Sequence, residues 1–228
     1  MATVLLVRHG RSTANVAGIL SGRAAGVDLD EVGRGQAARA AERIAAVPLV
    51  AIVSSPLARC RQTARLIAEQ HTLATQVDPG ITECDYGQWQ GRPLRELTRE
   101  PLWSTVQTQP SAVTFPGGES MAAMQDRSVA AVRRHDAALV AEHGAGAVWV
   151  AVTHGDIIKS VLADALGMHL DLFQRITVNP GSVSIVRYGR ARPEVVATNT
   201  DSGDLSWLRA AGPVGDATVG GGAGPLVK

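Results

Sequence analysis

The chain has 228 residues, 45% of them hydrophobic, and a net charge of +1. That length suits one domain with a full core, and the near-neutral charge gives no global pull toward nucleic acid or an anionic membrane surface. No apolar run reaches the length of a membrane helix and no signal-peptide pattern follows Met1, while Cys60 and Cys84 are too few and too distant for a disulfide framework or a zinc site. The expectation is therefore a cytoplasmic protein without membrane or nucleic-acid partners.

In chain order, residues 3–8 read as a fully buried strand, short, continuous and rich in leucine and β-branched residues. Ser12 is placed to cap a helix over 13–17. Residues 18–32 read as loop. Asp28-Leu29-Asp30 with Gly33 faintly resembles a calcium loop, but Val32 and Arg39 stand where ligands belong, so the segment is read as a loop and helix cap. An alanine-rich helix follows over 34–46, then a second buried strand over 49–53. Ser54-Ser55-Pro56 reads as the start of a helix that runs to about His71, with a serine N-cap and proline in the first turn. Residues 75–78 make a short third strand. The stretch 79–118 has weak periodicity and holds Trp89, Trp103 and Phe115, so a lid insertion is expected there. Ser120 leads into a long helix over 120–142; 147–153 is the fourth strand, 156–166 the next helix, and Gly181–Tyr188 and Glu194–Asn199 the last strands. The pattern predicts a three-layer α/β/α fold: a mostly parallel sheet with helices on both faces, a single domain over 1–211, and a flexible Gly-rich tail over 212–228.

In an open α/β sheet, ligands bind beyond the carboxyl ends of the strands. His9 follows strand 1, His154 follows strand 4 and the Ser54–Arg59 turn follows strand 2. If these strands are neighbours, two imidazoles and at least two arginines converge, next to helix N-termini that favour an anion. The anion such groups suit is a phosphate. A neutral His9 imidazole is a nucleophile toward phosphorus, kept neutral by nearby guanidinium groups, and Gly10 lets the backbone approach closely and fixes the His9 tautomer through its carbonyl. Arg8, Arg59 and a cationic His154 hold the charge on the phosphoryl oxygens, so no metal or other cofactor is required. A leaving alkoxide needs a proton, and Glu83 and Asp85 are both candidates for the acid.

Leu6-Val7-Arg8-His9-Gly10 with Ser12 and Asn15 resembles the signature of the histidine phosphatase superfamily, the phosphoglycerate mutase-like proteins. Ser54–Ala64, Glu83–Gly91, Pro116–Ser120 and Val152–Gly155 resemble its later motifs in the same order, so the resemblance covers about residues 3–200. It implies His9 as the phosphorylated nucleophile, Arg8, Arg59 and His154 as the phosphate pocket, and Glu83 rather than Asp85 as proton donor. It also implies Asn15 and Ser21-Gly22 near phosphate or substrate, with Gly155 beside His154. Arg11 departs from the pattern, which usually has Glu or Gln there; this leaves the local charge and the substrate choice open.

The expected activity is metal-independent hydrolysis of small phosphorylated metabolites through a phosphohistidine, the phosphatase branch of the family. The alternative is a phosphoglycerate-type mutase, which needs a longer and more basic lid; a non-catalytic phospho-ligand module is disfavoured because every catalytic position is filled. A homo-oligomer is compatible with the sequence, which does not mark a pairing surface.

Overall fold

The computed structural model describes residues 2–189, 191–201 and 220. Its strands are β1 (Thr3–Arg8), β2 (Leu49–Ser54), β3 (Thr75–Val77), β4 (Val148–Thr153), β5 (Val183–Tyr188) and β6 (Pro193–Thr200). Its helices are α1 (Thr13–Ala17), α2 (Glu31–Ile44), α3 (Ala58–His71), α4 (Leu94–Leu97), α5 (Pro101–Thr108), α6 (Met121–His143) and α7 (Gly155–Ala165). The strands form one sheet in the order β3-β2-β4-β1-β5-β6. β4 pairs in parallel with both β1 and β2, and β2 in parallel with β3; β5 and β6 close the far side antiparallel.

Strand alternation builds two cores from one sheet. Val4, Leu6, Ala51, Val53, Trp149 and Ala151 pack with α6 and α7 on one face, while Leu5, Val7, Ile52, Val150 and Val152 pack with α2 and α3 on the other. Strands buried on both sides have no polar face, which is why they read as unbroken apolar runs. Among the described residues, no helix is long and apolar enough to cross a membrane.

Two helix starts differ from the sequence reading. α2 begins at Glu31 rather than 34, because Asp30 caps it by accepting the Gly33 N–H at 2.7 Å. α3 begins at Ala58 after Leu57, with no side-chain cap, so the serine-cap expectation fails. Ser54 instead completes β2, and its hydroxyl donates to the Ser55 carbonyl at 2.8 Å.

Residues 79–118 form short helical turns together with α4 and α5. Trp89, Leu97, Val106, Val113 and Phe115 are buried in the same apolar cluster as α6 and α7, and the Trp89 ring stacks on Trp103 at 6.1 Å. The expected tail over 212–228 lies outside the described residues except for Gly220.

Gly10 and Gly33 carry the junction between the β1 loop and α2. A Cβ on Gly10 would lie 2.1 Å from the Gly33 carbonyl oxygen, and one on Gly33 would lie 1.9 Å from that of Arg11. Backbone meets backbone here, so a methyl group has nowhere to move. We expect Gly33→Ala to lower folding stability by about 1–3 kcal/mol in urea denaturation. Gly35→Ala on the same helix meets only the Arg39 side chain at 3.6 Å and should raise stability by about 0.5–1 kcal/mol. Equal effects at the two positions would refute the close-approach account.

Candidate active site

The strand order makes β2, β4 and β1 neighbours, so their carboxyl ends deliver Ser54–Arg59, His154 and Arg8-His9 to one place. Main-chain bonds fix these ends: the His9 N–H donates to Thr153 at 3.0 Å and the Ser55 N–H to Val152 at 2.9 Å. The Gly10 N–H donates to the Thr63 hydroxyl at 3.2 Å, which ties the β1 loop to α3. The sequence expectation that Gly10 admits a close backbone approach is met, and the approaching group is Gly33 of α2.

His9 is 3% exposed, and its tautomer follows from its neighbours. The Gly10 carbonyl lies 2.7 Å from Nδ1 and can only accept, so Nδ1 carries the proton. Nε2 is then a bare lone pair, and it accepts from Arg59 Nε at 3.2 Å. Burial first, then the Arg59 and Arg8 charges, hold the imidazole pKa well below the ordinary histidine value. The sequence reading named the guanidinium groups; burial is the larger cause.

His154 lies with its ring centre 5.2 Å from that of His9. Arg59 Nη2 approaches its Nδ1 at 3.3 Å and Ser55 Oγ its Nε2 at 2.8 Å. Burial and then Arg59 hold this ring neutral as well, which corrects the expectation of a cationic His154. The positive charge resides in Arg8 and Arg59. Arg59 links both rings and donates to the Gly22 carbonyl at 2.8 Å, and its Nη1 is buried without a hydrogen-bond partner. Arg8 donates from Nη1 to Val178 at 2.7 Å, and burial lowers its pKa to about 10.

The two candidate acids separate clearly. Glu83 is 3% exposed and its Oε1 accepts the Cys84 N–H at 2.9 Å, while Oε2 stands 3.9 Å from His154 Nδ1. Burial, and then the charge of Asp156, push its pKa up to about 7. The Asp85 side chain is 40% exposed and faces Arg23 at 3.5 Å. Arg23 and Arg127 both donate to the Glu83 carbonyl, at 2.9 and 3.1 Å, and both pair with Glu119, so the acid-bearing segment is clamped from outside.

Asn15, Ser21 and Gly22 line a small cavity together with Glu83 and Tyr86. Asn15 also closes the cap of α1, its Oδ1 accepting the Ser12 N–H at 3.0 Å. Gly155 does not line that cavity; it is the buried first residue of α7. Arg11 pairs with Asp30 at 2.7 Å, so this departure fastens the cap residue of α2. Sequence reasoning missed Ser55 as the partner of His154, the Arg23–Glu119–Arg127 clamp, and Asp156, whose position just after Thr153-His154-Gly155 was the available signal. Among the described residues, no three histidine, cysteine, aspartate or glutamate side chains are grouped to hold a metal ion.

Comparison with known proteins gives a consistent result. The family model described as "Histidine phosphatase superfamily (branch 1)" matches residues 4–201. A protein named probable phosphoglycerate mutase GpmB, from Yersinia pestis (strain Pestoides F), is 33% identical over 190 residues, covering 82% of this chain and 86% of its own. Bacillus stearothermophilus YhfR superposes with a TM-score of 0.81 at 26% identity, covering 89% of this chain and 98% of that one. A mycobacterial glucosyl-3-phosphoglycerate phosphatase superposes with a TM-score of 0.76 at 26% identity, covering 87% and 99%.

Proposed function

The chain belongs to the histidine phosphatase superfamily, and from that premise we propose that it hydrolyses small phosphomonoesters through a phosphohistidine at His9. The observation that carries this reading is the buried cluster in which Arg59 donates to both His9 and His154 while the buried Glu83 stands 3.9 Å from His154.

In the first step His9 Nε2 attacks phosphorus, the bond to the leaving oxygen breaks, and the Glu83 carboxyl proton passes to that oxygen. Arg8 and Arg59 hold the phosphoryl oxygens, with the unpartnered Arg59 Nη1 supplying one donor. In the second step the Glu83 carboxylate takes a proton from water as that water attacks phosphorus. The N–P bond breaks, phosphate departs and His9 is restored. Neutrality of His9 before attack is supplied by burial and the two arginines. Asn15, Ser21 and Gly22 bound the space for the leaving group, and residues 79–118 cover it as a lid.

The mutase reading is carried by the name of the Yersinia relative. Hydrolysis is favoured because none of the described residues lining the cavity beside Glu83 is basic, whereas a mutase acting on a phosphorylated sugar acid must hold a carboxylate. Purified protein in EDTA is expected to hydrolyse p-nitrophenyl phosphate. With 3-phosphoglycerate primed by a trace of 2,3-bisphosphoglycerate, it should release phosphate at least as fast as it isomerises. Fast isomerisation with little free phosphate reverses the choice, and strict dependence on added metal removes the mechanism.

A further inference from the structure

One fully buried carboxylate neither attacks phosphorus nor transfers a proton in the proposed reaction. Asp156 sits in the first turn of α7. Its Oδ2 accepts the Tyr86 hydroxyl at 2.8 Å and the main-chain N–H of Gly220 at 3.0 Å. Its Oδ1 has no hydrogen-bond partner; Lys159 Nζ stands 4.0 Å away and donates to Gln174 at 2.7 Å.

Gly220 lies 64 residues further along the chain than Asp156, yet it reaches the cavity bounded by Asn15, Leu20, Glu83 and Leu94. A Cβ on Gly220 would come within 2.8 Å of Leu20 Cδ1. With Gly220 in place the free volume is about 20 Å³, roughly the room for one water. A main-chain amide therefore occupies the ground beside Glu83 where the alcohol part of a phosphomonoester has to lie.

The occupant reports what this ground accepts. It is an uncharged group that donates a hydrogen bond to a carboxylate and rests against Leu20. An incoming carboxylate or second phosphate would meet the Asp156 carboxylate, and none of the described lining residues is basic to offset it. The basic residue next to Gly22, Arg23, is already engaged with Glu119, Asp85 and the Glu83 carbonyl. An incoming hydroxyl or ammonium reproduces the bond that Gly220 makes, so displacing the amide leaves Oδ2 satisfied.

We infer that Asp156 selects the leaving group: its Oδ2 takes an O–H or N–H donor from the alcohol part, in place of the Gly220 amide. The substrates are then monophosphates of polyols or amino alcohols rather than of acids. This inference rests on the phosphatase reading of the same site. It assigns Asp156 a specificity role, distinct from the effect of its charge on Glu83.

The test is kcat/KM of the full chain toward four esters at one pH. O-Phosphoethanolamine and glycerol 3-phosphate carry a donor; phosphocholine has a similar cation without an N–H; 2-phosphoglycolate carries a carboxylate. The first two should exceed the last two by at least tenfold. Asp156→Asn should bring the ratio of O-phosphoethanolamine to phosphocholine within about threefold of unity, and Tyr86→Phe should lower it part of the way. The ratio cancels any change in the acidity of Glu83. The wild-type ratios stand even if a variant folds poorly. A wild-type ratio near one, or a ratio unchanged in Asp156→Asn, overturns the inference while hydrolysis of p-nitrophenyl phosphate keeps the phosphatase reading. Absence of that hydrolysis removes both.

Discussion

His9→Ala is expected to lower turnover of any phosphomonoester by roughly four to six orders of magnitude and to abolish acid-labile phosphate on the protein. The size follows from the role: no other described side chain presents a bare nucleophilic nitrogen at this point. His154 is held differently: its Nε2 bonds Ser55 at 2.8 Å, and its Nδ1 faces both Arg59 at 3.3 Å and Glu83 Oε2 at 3.9 Å. The variant should stay folded. His9 bonds through its ring only to Gly10 next to it and to Arg59, while its main-chain N–H still donates to Thr153. Retained acid-labile labelling in a folded His9→Ala protein would remove His9 from its place.

Glu83→Gln should reduce turnover of alkyl phosphates by about 10²–10⁴-fold. On p-nitrophenyl phosphate the first-turnover release of nitrophenol should be largely spared, because that leaving group needs no proton, while steady turnover still falls for want of the base in the second step. Asp85→Asn should change little, since Asp85 is half-exposed and turned toward Arg23. The pH profile gives the sign. The Glu83 proton is held up to about pH 7, so for alkyl esters kcat is retained below that value and falls as pH rises through it; the Gln variant lacks this limb. Stability follows the same proton. The folded pKa is raised above the ordinary 4.5 to about 7, so the folded state binds the proton more tightly. That contribution is fully present below about pH 4.5 and is lost as pH rises toward 7. At pH 8 the wild type carries a buried charge that glutamine does not, so Glu83→Gln should melt a few degrees higher there and show the difference shrinking at pH 5. An equal or lower melting temperature at pH 8 would contradict the burial argument.

The sheet was legible because each central strand is an apolar run buried on both faces, and the ends of those runs located His9 and His154 without any contact information. Helix starts were legible where a side chain caps locally, as Ser120 does for α6, and misleading at Ser54-Ser55, where a distant partner intervenes: the Ser55 hydroxyl bonds His154, 99 positions away. The same limit hid the function of Arg11, whose partner Asp30 lies across a loop. Glu83 and Asp85 are two positions apart with equivalent chemistry, and only burial distinguishes them. Asp156 escaped notice for a related reason. An acidic residue in the first turn of a helix reads as a dipole partner in solvent, and nothing local indicates that Tyr86 and Gly220 enclose it.

The position of β4 also bears on how the protein comes to exist. β1 and β2 do not pair with one another; β4 lies between them and pairs with both, so Thr3 finds its parallel neighbour at Val148. The strand that joins β1 to β2 is therefore synthesised only after α2, α3 and the whole 79–118 segment. Such long-range pairing is intrinsically slow, and it is the same event that brings His154 beside His9. Return of activity in a refolding experiment is thus expected to coincide with pairing of β4 to β1, with no earlier partly active species on the way.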